Sequence, residues 1–174
     1  MEGMRHDLPR LATVAQKIEA ETHDRYFVGL SLKRAQHELR LAVNAELARL
    51  GTNISQINVL REIALNPGIS SADLARLAFL TPQTLGQLVI QMQERRLVTR
   101  RPGEARKICH YLTKTGEKLL IAGMEKTREV DTHALRDFTD RELAILTDAF
   151  RTIERRAAES RARSKGFAPT VIDG

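Results

Sequence analysis

Apolar residues recur every three or four positions over most of this chain. Leu8, Leu11, Ala15 and Ile18 share one helical face, with Asp7 ahead of them as a cap. The phase changes around residues 22–25, and a longer helix is predicted from about Tyr26 to Leu50. One stripe on it holds Val28, Leu32, Leu39, Val43, Leu47 and Leu50, and a second holds Leu30, His37, Leu41 and Ala48. Two apolar faces on one helix predict contacts on two sides. Gly51 closes this helix and Asn53 caps the next, which carries Ile57, Leu60 and Ala64 inside. "NPGIS" (66–70) breaks the pattern. Ser70 with Asp73 resembles a capping box for the short helix "SADLARLA". Thr81 caps the following helix, with Pro82 in the first turn, where its missing N–H costs little.

After Arg96 the period changes from helical to alternating. "LVTRR" (97–101) and "KICHYLT" (107–113) read as short strands joined by "PGEAR", a turn by composition. Ile108, His110 and Leu112 alternate there with Cys109 and Tyr111. Helices followed by such a hairpin predict a winged helix-turn-helix. Helical periodicity returns to about Arg136 and restarts at "FTDRE", with Thr139 as cap and Glu142 three residues on, running to about Arg163. The expected architecture is therefore mainly α with a small β wing. Residues 51–116 form the winged helix-turn-helix, flanked by helices at 1–50 and 117–163, with a tail at 164–174.

The helix after Thr81 has two opposed stripes. At 100° per residue, Leu85, Leu88, Val89 and Met92 fall within one arc of roughly 100°, and Gln83, Thr84, Gln87 and Gln91 fall opposite. Amides and hydroxyls both donate and accept, which suits base edges in a major groove. A merely solvated face would more often carry Glu and Lys. Gly86, beside the polar stripe, allows close backbone approach.

Charge sharpens this picture. The net charge is +6, and between Thr81 and Gly116 seven Arg and Lys residues face two acidic ones, so nearly the whole surplus sits in about a fifth of the chain. Arg100, Arg101, Arg106 and Lys107 surround the hairpin turn, placed to meet phosphates or a narrow minor groove. Aromatics are few and Trp is absent, so the core should be mostly Leu, Ile, Val and Ala. The single Cys109 excludes an intramolecular disulfide and fits a reducing cytosol. No apolar run approaches a membrane span and no signal peptide is visible, so a cytoplasmic location without membrane contact is expected. No phosphate loop, nucleophile elbow or carboxylate pair is legible, and the histidines lack metal-ligand spacing. No catalysis, cofactor or metal is expected.

The order of elements resembles the multiple antibiotic resistance regulator (MarR) family of winged-helix transcription factors. The resemblance covers roughly Tyr26 to Arg156. It rests on "ISQINVLREIALNPGISSADLARLAFLTPQTLGQLVIQMQERRLVTRRP", "YLTKTGEKLL" and "FTDRELAIL" together. It implies that the helix from Pro82 to about Glu94 is the recognition helix and that Leu97–Thr113 is the wing. The family's wing usually carries Asp-Arg-Arg where this chain has Glu104, Ala105 and Arg106. Arg106 is then the best single wing contact. The expected DNA-binding residues are Thr81, Gln83, Thr84, Gln87, Gln91, Arg100, Arg101, Arg106 and Lys107.

Two such lobes would sit about one DNA turn apart on a pseudo-palindromic operator, so a homodimer is expected. Leu119, Leu120, Met124, Leu143, Leu146, Phe150 and Ile153 would pack against a partner's helices. The resemblance also implies control by a small effector, often an aromatic acid, between the dimerisation helices and the DNA-binding lobe. Tyr26, His37, Arg40 and Met124 are candidates by position. The expected function is a repressor that such an acid releases. Two alternatives stay open: a winged-helix protein-interaction module without DNA readout, and a thiol redox sensor acting through Cys109.

Overall fold

A computed structural model describes residues 25–103 and 108–164. The helix expected over residues 8–22 and the tail beyond Ser164 lie outside the described residues. The element order is α1 (Arg25–Ala48), α2 (Ile54–Leu65), β1 (Ile69–Ser70), α3 (Ser71–Leu77), α4 (Pro82–Glu94), β2 (Val98–Pro102), β3 (Ile108–Leu112), α5 (Lys114–Ala134) and α6 (Asp140–Ser164).

Local chemistry sets most boundaries. Gly51 ends α1 at a φ of +66°, a conformation that favours glycine. Asn53 caps α2 by accepting from the Gln56 N–H at 3.0 Å. Ser70 accepts from the Asp73 N–H at 3.2 Å and its hydroxyl donates to the Asp73 carboxylate at 2.8 Å. Thr81 accepts from the Thr84 N–H at 3.1 Å, with Pro82 at the start of α4. At α6 the Thr139 N–H donates to Glu142 at 2.8 Å, and the Glu142 N–H returns to the Thr139 hydroxyl at 3.4 Å.

α3 and α4 end alike. In α3 the Leu80 N–H reaches the Ala75 carbonyl at 2.9 Å and the Phe79 N–H reaches Arg76 at 3.3 Å. In α4 the Leu97 N–H reaches Met92 and the Arg96 N–H reaches Gln93, both at 2.8 Å. This is the Schellman arrangement, whose left-handed position usually holds glycine. Here it holds Phe79 and Arg96, both at φ +55°. A left-handed backbone costs a bulky L-residue roughly 1 kcal/mol more than glycine.

The core lies inside the winged lobe, where Leu47, Leu60, Ile63, Leu74 and Met92 are fully buried. The sheet has three antiparallel strands in the order β1-β3-β2. The sequence predicts only a two-strand hairpin and treats 66–70 as a helix break. In the structure Ile69 and Ser70 add a third strand, pairing with His110 and Cys109. Two residues carry no periodic signal, and their pairing partner lies far along the chain.

α5 is tied to the wing. The Thr113 hydroxyl donates to the Arg96 carbonyl at 2.6 Å and accepts from the Gly116 N–H at 3.0 Å. Gly116 must be small, because a Cβ there would run into the Leu97 carbonyl. Leu120 is buried and Leu119 packs beside the same core. Both were expected at a partner chain; the protein's own core takes them instead, because α5 starts against the end of α4. Among the described side chains of α1 burial is confined to the C-terminal end: Val43 and Leu47 are buried, whereas Val28 and Leu41 are exposed.

The chain divides into two compact units, the first ending at Thr132 and the second beginning at His133. In the second unit α6 has no fully buried residue among those described, and Ile145, Phe150 and Ile153 stand in solvent. Among the described residues no helix is long and apolar enough to cross a membrane.

Candidate nucleic-acid interface

α4 presents the two faces its sequence predicts. Leu85, Val89 and Met92 are buried, and Leu88 packs beside them. Gln83, Thr84, Gln87 and Gln91 are all exposed on the other side. The Thr81 and Thr84 hydroxyls pair at 2.8 Å, so the start of the helix is a fixed polar edge. A Cβ at Gly86 would meet nothing within 4 Å, which leaves the flank open.

The far end of α4 is anchored by a group that sequence reasoning missed. The Gln56 amide oxygen accepts from Arg95 at 3.0 Å and from the Thr52 hydroxyl at 2.8 Å. Gln56 and Thr52 are buried, so these bonds satisfy groups that would otherwise lack partners. Gln56 and Arg95 lie 39 residues apart, and no local pattern announces the pair.

The wing separates its two central arginines. β2 pairs with β3 so that Arg100 faces His110 and Arg101 faces Cys109. Successive strand residues point to opposite faces. The Arg101 guanidinium stacks on the Tyr111 ring, 5.1 Å from its centroid. Arg100 donates to the Gln93 side chain at 3.3 Å, on the side that carries His110. Arg106 and Lys107, expected at the wing tip, lie outside the described residues, as does the side chain of Tyr26.

Behind α4 a cavity of about 310 Å³ opens between Ser71 of α3, Leu85, Gly86 and Val89 of α4, and Arg100 and His110 of the wing. His110 is only 2% exposed. Its Nε2 lies 2.9 Å from the Ser71 hydroxyl, while its Nδ1 has no hydrogen-bond partner among the described residues. Burial, and then the positive charge of Arg100, hold its pKa below 6.5. The alternation of β3 points to an inward His110, but the cavity and the Ser71 contact need three elements brought together. The effector candidates named from sequence lie elsewhere: His37, Arg40 and Met124 are exposed, and none borders the cavity. Cys109 is half-buried on the face opposite His110. Among the described residues no three His, Cys, Asp or Glu side chains form a metal-sized cluster.

Known proteins match this arrangement. A family model described as MarR family matches residues 50–107. The HTH-type transcriptional repressor Rv2887 of Mycobacterium tuberculosis is 31% identical over 114 residues, covering 64% of this chain and 82% of that protein. The crystal structure of Rv2887 with p-aminosalicylic acid superposes with a TM-score of 0.61 at 28% identity, covering 72% of this chain and 97% of the other. Rv2887 has also been solved in complex with DNA, with a TM-score of 0.61, 26% identity and coverage of 72% and 95%. The MarR family transcription regulator SP03579 gives a TM-score of 0.73 over 84% of this chain and 98% of its own, at 20% identity, a likeness of fold.

Proposed function

Since the chain belongs to the MarR family of transcriptional regulators, we propose that it is a homodimeric, sequence-specific DNA-binding repressor released by a small aromatic acid. One observation carries the DNA reading: α4 buries its apolar stripe and leaves four amide or hydroxyl side chains, Gln83, Thr84, Gln87 and Gln91, in solvent. Such a face can read base edges once the helix lies in a major groove. Arg101 and the expected Arg106 and Lys107 supply phosphate contacts, which set affinity without sequence preference. Residues 51–116 are the DNA-binding domain, and the helices at 1–50 and 117–163 are the dimerisation elements. A regulator of this kind has no catalytic role.

The exposed apolar residues of α1 and α6 support the dimer. Val28, Ile145, Phe150 and Ile153 stand in solvent on long helices. A soluble chain normally covers such rows with a partner.

The cavity behind α4 supports the effector. Its Leu85 and Val89 wall suits an aromatic ring, and Arg100 suits a carboxylate. The bound p-aminosalicylic acid of Rv2887 is an acid of this kind. An acid seated there would lie directly behind the reading helix and bias its position.

Selection of bound fragments from a genomic library, followed by salt-dependent gel shifts with and without salicylic acid, tests the proposal. A single inverted-repeat sequence, bound by a dimer and released by the acid, is the expected result. Absence of any preferred sequence at every salt concentration would leave a protein-interaction module as the better reading. Loss of salicylate binding in Arg100→Ala, measured by calorimetry without DNA, tests the cavity separately.

A further inference from the structure

Phe79 is the most exposed large apolar side chain among the described residues, at 87% of its full surface. Two forces oppose a phenylalanine there. Apolar surface in water is unfavourable, and φ +55° belongs to glycine. Its neighbours are held in place: Ala78 is buried and Leu80 packs on the core. The Schellman turn therefore aims the ring outward. Phe79 precedes the cap residue Thr81 by two positions, so its Cα lies within about 7.6 Å of that cap. Recognition helices read bases mainly with their N-terminal residues. Other strongly exposed apolar side chains lie on α1, α5 and α6, such as Val28, Ile121, Ile145 and Phe150, and in the lobe at Leu65 and Ile90, but among the described residues Phe79 is the lobe's one exposed aromatic. Close by along the chain Arg76, Thr81 and Gln83 are exposed and polar. A single exposed ring is a poor protein interface, since interface cores need a contiguous apolar patch.

We infer that Phe79 is an additional specificity residue, whose ring packs on the C5 methyl of a thymine at the edge of the stretch read by Gln83, Thr84 and Gln87. This inference rests on the DNA-binding reading above. Among major-groove base edges only thymine offers an apolar group of this kind. The ring adds selectivity for that methyl and leaves nonspecific phosphate binding untouched.

The test uses the full-length protein and the operator recovered by fragment selection. Each thymine in turn is replaced, in both half-sites, by deoxyuridine, which removes only the methyl. Wild type should lose roughly three- to tenfold in affinity per half-site at one thymine position, the scale of one or two buried carbon groups. Phe79→Gly suits the turn, so it should fold. It should bind the unmodified operator as weakly as wild type binds that uracil probe, with no further loss on the probe itself. Phe79→Leu should regain part of the discrimination. If Phe79→Gly binds like wild type while Gln87→Ala is impaired, the inference is overturned and the DNA reading stands. Equal weakening of Phe79→Gly on thymine and uracil at every position also overturns it, and so does a shift of the protein from dimer to monomer. A wild type with no sequence preference defeats both.

Discussion

The winged lobe and the long helices spend their apolar residues differently. Between Ile54 and Leu112 most leucines, isoleucines and valines find a neighbour in the same chain, Leu65, Ile90 and Ile108 excepted, and Leu60, Ile63, Leu74 and Met92 are sealed. On α6 and the first part of α1 the same residue types, at the same helical spacing, stay in water, as Val28, Leu41, Ile145, Phe150 and Ile153 show, while Val43 and Leu47 at the end of α1 join the lobe's core. Periodicity alone therefore says that a face wants cover, and not who supplies it. α5 shows both behaviours: Leu120 closes the lobe's core while Ile121, one residue on, is exposed. Chemistry divides along the same line. Among the described residues the buried polar groups, from Thr52 and Gln56 to His110, belong to the lobe.

The contrast breaks most sharply at the core. Leu60→Ala should cost about 2–5 kcal/mol in chemical denaturation, because a fully buried side chain leaves a cavity behind. In the second unit the largest effect should be on assembly. Phe150→Glu combined with Ile153→Glu puts two charges on the exposed stripe and should turn a dimer into single chains in sedimentation. The winged lobe should still unfold cooperatively. A double variant that keeps the wild-type sedimentation rate would mean that α6 is not a dimerisation element.

Much of this division was legible beforehand, for physical reasons. Asn53, Ser70, Thr81 and Thr139 each act on the backbone N–H three residues on, so short stretches of sequence announce them. The two stripes of α4 follow from helix geometry within thirteen residues. What stayed hidden depends on distant partners. β1 exists because β3 pairs with it. The Gln56–Arg95 bond and the Ser71–His110 contact each join residues 39 positions apart. Phe79 and Arg96 adopt a glycine-like backbone without glycine, so composition gives no warning. Leu119 and Leu120 show the converse error, in which a correct apolar stripe is given to the wrong neighbour.

Within the lobe, reading and holding should separate. Gln87→Ala should cost about 1–3 kcal/mol at one base position in each half-site and little elsewhere. Arg106→Ala should weaken binding to all sequences alike and lower the salt slope by about 1. Gel shifts on matched and scrambled operators distinguish the two. An unchanged salt slope in Arg106→Ala would remove the wing from the interface.

The smallest effect should come from His110, and it sharpens the contrast because α6 holds nothing equivalent. His110 is buried against Ser71 with its pKa held below 6.5. In the unfolded chain the ring titrates near 6.5, so below that pH the unfolded state takes a proton that the folded state refuses. The stability from this site is complete above pH 6.5 and declines as pH falls toward the lower folded value. The shifts of Asp131, upward from 3.8, and Glu142, downward from 4.5, start from more acidic values. Denaturation midpoints measured at about pH 7.5 and about pH 5.5 therefore bracket the imidazole window. Wild type should be less stable at the lower pH, and His110→Gln should reduce that difference while α6 substitutions leave it unchanged. A wild-type midpoint that rises on acidification would contradict the sign, and would mean that the cavity stabilises the charged ring instead of excluding it.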